Sequence, residues 1–288
     1  MKRPTPPFER WLVFSDLDGT LLNHHDYAFE AALPVLRRLE QLNIPVILNT
    51  SKTLAEIRIW SERLENRHPC IVENGSAIII PGGYFGDIEL ANRHDDPTLP
   101  GHDLLVPGQP IEALREQLER IRPSALDLTR CSLDQAMRLT GLPADDARLA
   151  QTRRYSIPLA FERAENEADF VEAAHAAGLR TLRGGRFLHL LGNCDKGSSL
   201  RILTGLYQAS GPSPVGVVAL GDSPNDLDML LQADHAIVVN SPSSPTLQPG
   251  HPCCYRTRQA APLGWVEGIK AFLTSPLHNH QFEESSYG

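Results

Sequence analysis

Two carboxylates one residue apart, Asp16 and Asp18, close the apolar run WLVF inside WLVFSDLDGTLL, residues 11–22. Driving a buried strand into two like charges is costly, so a cation must neutralise them for at least part of the working cycle. A second pair, Asp222 and Asp226, follows another apolar run in VGVVALGDSPND, residues 215–226. In open α/β sheets, sites form outside the carboxyl ends of the strands. Four acids meeting there suit a hard divalent cation. Mg²⁺ takes oxygen ligands, keeps several waters and pairs with substrate phosphate. The expected metal ligands are Asp16, Asp18 through its backbone carbonyl, Asp222 and Asp226.

Phosphoryl transfer fits this set. A carboxylate can attack and form an aspartyl-phosphate, given a neighbouring acid/base, a cation and donors for the phosphoryl oxygens. Asp16 is the expected nucleophile. Asp18, on the same side of an extended chain, protonates the leaving oxygen and then activates water. Thr50, or Ser51 beside it, hydrogen-bonds a phosphoryl oxygen. Lys196 offsets negative charge near Asp16, and Asp226 tethers Lys196 or a metal-bound water. Lys52 reaches the substrate or faces water.

The elements that must position these residues can be read coarsely. WLVF (11–14), IPVILN (44–49), CIVE (70–73), AIII (77–80), the run from 215 and AIVVN (236–240) read as buried strands. Residues 28–42, 50–64 and 196–208 read as helices. The β-α-β-α-β order predicts an α/β fold with a doubly wound, Rossmann-like parallel sheet. Between them the style changes. Residues 111–121, 133–141 and 167–178 have helical spacing, YSIPLAFE (155–162) and RFLHLLG (186–192) read as strands, and long apolar runs are missing. The expectation is a catalytic core of residues 1–85 and 191–288 with an inserted α+β cap at 86–190.

DLDGT (16–20), Thr50 after a strand, Lys196 in DKG and GDSPND (221–226) resemble, in order, the four motifs of the haloacid dehalogenase superfamily. The middle region resembles the large α+β cap of its Cof-type branch. More narrowly, TSKTLAE (50–56), IVENGSAIIIP (71–81), GGRFLHLLG (184–192) and DKGSSL (195–200) are similar to mannosyl-3-phosphoglycerate phosphatases. That resemblance implies Mg²⁺-dependent hydrolysis of a phosphorylated sugar, mannosyl-3-phosphoglycerate, to mannosylglycerate and phosphate. Other sugar phosphatases, acting on glucosyl-3-phosphoglycerate or sucrose phosphate, a phosphomannomutase and a non-catalytic sugar-phosphate sensor are the alternatives. It raises Asn74, otherwise a turn residue of E-N-G, and Asn225 to substrate-pocket candidates. A substrate carrying both phosphate and carboxylate needs cations and backbone N–H groups at close range. Gly185, Arg186, and Arg154 or Ser156 are the candidates, with His189 open between packing and contact. One departure stands out. This family has an acidic residue before the proline of RRYSIP, and here it is Ile157, which bears on the sugar-side or glycerate-side contacts.

The composition narrows the partners. Across 288 residues the formal net charge is −8, which argues against a general grip on nucleic acid or anionic lipid. No apolar run approaches a membrane span and the first ten residues lack an apolar h-region, so the expected place is the cytoplasm. Five scattered cysteines without a CxxC pair read as free thiols. The His24-His25 pair, the HNH at 278–280 and the polar tail from Ser275 read as solvated.

Overall fold

The computed structural model describes residues 8–86, 88–94, 96–121, 123–184, 186–242 and 247–275. Gly185, the HNH at 278–280 and nearly all of the polar tail therefore lie outside the described residues. In chain order the elements are β1 (Arg10–Ser15), α1 (Leu33–Gln41), β2 (Val46–Asn49), α2 (Leu54–Arg63), β3 (Cys70–Val72), β4 (Ala77–Pro81), β5 (Arg93–His94), β6 (His102–Leu105), α3 (Ile111–Ile121), β7 (Ala125–Asp127), α4 (Leu133–Thr140), α5 (Ala144–Gln151), β8 (Ser156–Phe161), α6 (Ala164–Ala176), β9 (Arg180–Arg183), β10 (Leu188–Leu191), α7 (Lys196–Ala209), β11 (Val215–Gly221), α8 (Leu227–Gln232), β12 (His235–Asn240), β13 (Cys254–Ala260) and α9 (Leu263–Leu273). The fold is α/β, with a mainly parallel core sheet and a separate antiparallel four-stranded sheet. No helix among the described residues is long and apolar enough to cross a membrane.

The chain divides into two compact units, one drawn from Met1–Leu48, Gly83–Glu89 and Leu200–Gly288, the other from Asn49–Gly82 and Leu90–Ser199. In the first, strands run parallel in the order β13-β12-β11-β1-β2. Every residue of β11 is buried, as is all of β1 after Arg10. Strands covered on both faces by helices need such unbroken apolar runs. Leu36 and Leu39 of α1 and Ile269 and Phe272 of α9 belong to that core. Residues 253–273 gave no expectation from sequence. They form β13, most of whose residues are exposed, and α9.

The second unit opens at Asn49. The pattern over 50–64 predicts a helix from its first residue. The helix instead begins at Leu54, because Thr53 forms a capping box with Glu56. The Glu56 N–H donates to Thr53 Oγ1 at 3.2 Å and the Thr53 N–H to Glu56 Oε2 at 2.8 Å. Residues 50–53 are thereby freed as a loop. Strands β3, β4, β6 and β5 pair antiparallel in that order, β4 with β6 past the short β5. A separate antiparallel sheet has the order β7-β8-β10-β9. One of its faces packs Ile157, Leu159, Leu188 and Leu190 against Leu114 of α3 and Phe170 of α6. Ile157 thus points into a hydrophobic core, where an acid would be buried among apolar side chains. A smaller cluster around Leu128, Ala136 and Ala147 holds α4 and α5.

Within the first unit, α9 braces the strand that carries Asp16. Trp265 is fully buried, its Nε1–H donates to Ser15 Oγ at 3.0 Å, and Ser15 Oγ donates to the Asp16 carbonyl at 2.7 Å. Trp265→Ala should lower stability by about 3–5 kcal/mol, the usual cost of emptying a large aromatic site. Urea unfolding of the variant measures it, and a loss below about 1 kcal/mol would show that α9 does not brace β1.

Candidate active site

The register of β1 and β11 builds the acidic end of the first unit. Ser15 lies opposite Leu220, and the Asp16 N–H extends the ladder to the Leu220 carbonyl at 3.0 Å. Asp16 and Asp222 therefore leave adjacent parallel strands at the same end. Asp16, Asp222 and Asp226 are all buried, and each offers a carboxylate oxygen within 4.8 Å of the others. At an effective dielectric constant near 20, each ionised pair at that range repels by about 3–4 kcal/mol. Three carboxylates so placed could hold a cation among them, and an all-oxygen donor set suits a hard one.

Local structure holds the carboxylates in place. Asp226 accepts from the Asp222 and Ser223 N–H groups, both at 3.0 Å, across a short 3₁₀ turn that starts at Pro224. Thr20 Oγ1 donates to Asp222 Oδ1 at 2.9 Å. Gly19 has φ +81°, and a Cβ there would sit 2.6 Å from Asp222 Oδ2. Glycine is needed at that point both for its backbone conformation and for the close approach. Asp18 is half-buried in the tight turn between Leu17 and Leu22, and its carboxylate is not one of the three gathered groups. Asn225 is buried and its side-chain oxygen accepts from Ser223 Oγ.

The second unit ties Thr50, Lys52, Asn74, Arg154 and Ser156 to the turn at Glu73. Residues 73, 74 and 75 all have positive φ, at 49°, 59° and 92°. Such a run is strained for the two non-glycine residues, and it is held by hydrogen bonds. The Asn74 N–H donates to the Thr50 carbonyl and the Glu73 N–H to the Lys52 carbonyl, both at 3.0 Å. These contacts fix the loop that carries Thr50, Ser51 and Lys52. A Cβ on Gly75 would lie 2.1 Å from the Asp195 carbonyl, and Ser199 Oγ donates to the Gly75 carbonyl at 2.6 Å. Asn49 Nδ2 donates to the Lys196 carbonyl at 3.0 Å. Lys196, at the start of α7, is fully buried.

Thr50 is also fully buried, and its Oγ1 accepts from the Lys52 N–H at 3.1 Å, leaving the hydroxyl proton to donate. Ser51 is half-buried. Lys52 is buried and pairs with Glu56 at 3.7 Å. The Glu73 carboxylate is fully buried and accepts from the Arg154 N–H at 2.9 Å, the Tyr155 N–H at 3.1 Å and Ser156 Oγ at 2.7 Å. Burial nonetheless pushes its pKa up, against the pull of Arg153 and these donors. Arg154 pairs its guanidinium with Asp96 and lies over the Tyr155 ring. Arg153, which sequence reasoning passed over, reaches the Ser51 carbonyl at 3.0 Å and Ser156 Oγ at 3.1 Å. Arg186 is exposed, with its guanidinium beside Gly141 at the end of α4. Glu73 was missed as well; its only sequence signal is an acid inside an otherwise apolar strand end.

A family model described as haloacid dehalogenase-like hydrolase matches residues 13–87. A glucosyl-3-phosphoglycerate/mannosyl-3-phosphoglycerate phosphatase of Methanococcoides burtonii is 39% identical over 241 residues, which is 80% of this chain and 85% of that protein. A protein of the same description from Persephonella marina is 33% identical over 272 residues, 91% of this chain and 97% of its own. Among solved structures, a haloalkanoate-superfamily phosphatase from Bacteroides thetaiotaomicron superposes with a TM-score of 0.62 at 15% identity, covering 95% of this chain and 97% of its own. A Thermoplasma acidophilum protein gives 0.60 at 16% identity, covering 92% and 96%. At such identities these two matches speak to the fold.

Burial of Glu73 has a consequence for pH dependence. Its pKa is raised above 4.5 in the folded chain, so the fold binds this proton more tightly than the unfolded chain does. Its stabilising contribution is full below the unfolded value and is lost as pH rises through the folded one. The stability of the wild type relative to Glu73→Gln should therefore shrink as pH rises through that window. Urea midpoints measured across the window test this, and a relative stability that grows with pH would reverse the assignment.

Proposed function

Because the chain belongs to the haloacid dehalogenase-like hydrolases, we propose that it is a phosphatase acting on mannosyl-3-phosphoglycerate, with glucosyl-3-phosphoglycerate as the close alternative, releasing the sugar-glycerate and inorganic phosphate. What carries the reading is the buried group of Asp16, Asp222 and Asp226 in a chain so similar, over most of its length, to two phosphatases of that description. Both printed descriptions name the two sugars together, so we assign no preference between the epimers.

In this reading Asp16 attacks phosphorus and becomes an aspartyl-phosphate while the sugar-glycerate oxygen leaves. Asp18 gives that oxygen its proton and then takes one from the water that releases phosphate. The Thr50 hydroxyl, with its proton still available, donates to a phosphoryl oxygen, and Lys196 offsets the developing charge. Mg²⁺ held by Asp16, Asp222, Asp226 and the Asp18 carbonyl would screen the carboxylates and polarise the phosphoryl group. Residues 86–190 are assigned the choice of leaving group, and residues 1–85 and 191–288 the chemistry. Arg186, Asn74, Asn225 and Lys52 stay proposed substrate contacts, while Ser156, fully buried and bonded to Glu73 and Arg153, supports the site from behind. Arg154 is tied to Asp96.

Phosphate release from a panel of sugar phosphates that includes both sugar-phosphoglycerates tests the reading. One or both of these should be the best substrates. EDTA should abolish turnover and Mg²⁺ restore it. Asp16→Asn should lower kcat at least about a thousandfold, as loss of a nucleophile does, with folding retained by circular dichroism. A folded Asp16→Asn chain of near-normal activity would remove the mechanism. A panel on which neither sugar-phosphoglycerate is hydrolysed would remove the substrate.

A further inference from the structure

Buried polar atoms in native proteins nearly always have partners, and each exception asks for an explanation. Two exceptions share one neighbourhood of the second unit. Arg153 Nε and His189 Nδ1 are both buried with no hydrogen-bond partner among the described residues.

Their placement follows from strand register. Ser156 pairs with Leu191 and Pro158 with His189 across β8 and β10. Side chains alternate along strands, so Ser156 and His189 share one face, while Ile157 and Leu190 fill the helix-covered core on the other. Ser156 and His189 are diagonal neighbours, with their Cα atoms about 7–8 Å apart in such pairs. The Arg153 guanidinium, bonded to Ser156 Oγ at 3.1 Å, is thereby brought toward the imidazole. After burial, the Arg153 charge is the largest influence holding the His189 pKa well below its usual value. The imidazole is therefore neutral at pH 7, and its Nδ1–H tautomer is a donor.

Arg153 is also committed in an informative way. Its Nη1 already donates to the Ser51 carbonyl at 3.0 Å and to Ser156 Oγ. The opposite edge, Nε with Nη2, is the edge that takes a planar carboxylate through two parallel N–H bonds. Glu73 lies near enough for its charge to act on Arg153, but its oxygens already accept from Arg154, Tyr155 and Ser156. The Arg153 Nε–H is therefore left without an acceptor among the described residues, as His189 Nδ1 is left without a partner.

We propose that Arg153 and His189 form the subsite that recognises the carboxylate of a glycerate-bearing substrate, Arg153 through its Nε–Nη2 edge and His189 through Nδ1–H. This rests on the phosphatase reading above and deepens it: glycerate recognition is assigned to residues that face inward beside the Thr50–Lys52 loop rather than to Arg154.

The test uses two probes that differ only at this group, 3-phosphoglycerate and glycerol 3-phosphate, titrated calorimetrically into the full chain with Mg²⁺ present. An Asp16→Asn background prevents turnover. The parent should bind 3-phosphoglycerate at least about tenfold more tightly, the usual scale for a satisfied bidentate contact. Arg153→Met and His189→Phe should each reduce that ratio to about threefold or less. Arg153→Lys, which keeps the charge and lacks the fork, should also reduce it, and it serves if Arg153→Met does not fold. A parent ratio near one, or a ratio that survives in the folded variants, overturns the proposal and leaves a bridging water as the partner of both atoms. Turnover of sugar-phosphoglycerates by the wild type is scored separately, so loss of the phosphatase reading and loss of the subsite are distinct results.

Discussion

Three buried carboxylates within 4.8 Å of one another set the terms for the first unit. Folding must hold them together against repulsion that has no solvent to screen it. The chain does so by rigid means: Asp16 is locked to β11 by a backbone bond, Asp222 is gripped by Thr20, and Asp226 is bound by two backbone N–H groups. Gly19 and Gly221 leave the room, since a Cβ at Gly221 would lie 2.4 Å from Asp226 Cβ. A buried, preorganised group of three acids is a donor set that could hold a cation, which is why the cluster reads as function rather than architecture.

The second unit solves a related problem with one acid instead of three. Glu73 sits in a left-handed turn that would be strained in isolation. Its backbone N–H holds the loop that starts at Thr50, and its carboxylate holds residues 154–156. Inside this buried site those donors supply the hydrogen bonds that water would otherwise give the carboxylate. The same turn abuts Asp195 through Gly75, next to the buried Lys196. One irregular turn thus fixes a hydroxyl, two lysines and the first residues of β8.

Sequence reasoning reached the acidic cluster because parallel strands announce themselves. Apolar runs such as WLVF and VVAL, each followed by one small residue and then aspartate, read as central strands opening onto a site. The α2 boundary was misjudged because TSKTLAE continues a helical pattern on its face, while the Thr53–Glu56 capping box decides where the helix starts. The edge strand β13 was invisible for a different reason. Most of its residues are exposed, and Arg256, Arg258 and Gln259 interrupt any apolar alternation. Edge strands are held by the neighbour's backbone, which composition does not record.

The neighbouring arginines mark where such reading ends. RRYSIP offers two identical side chains, and nothing in their chemistry distinguishes them. Phase does: the chain enters β8 so that Arg153 turns toward Ser51 and Ser156, while Arg154 turns to Asp96 and the Tyr155 ring. That phase is set by the Glu73 carboxylate, which takes three consecutive residues by N–H, N–H and hydroxyl. A slip of one residue in β8 would carry Ile157 out of the core, since a strand reverses its faces with every residue. The residue before the proline is apolar here because the register of β8 on β10 sets Ile157 beside Leu190 in the core. The entrance of β8 is therefore tied to a turn far away in the sequence, since the Glu73 carboxylate that receives the Arg154 N–H lies 81 residues earlier.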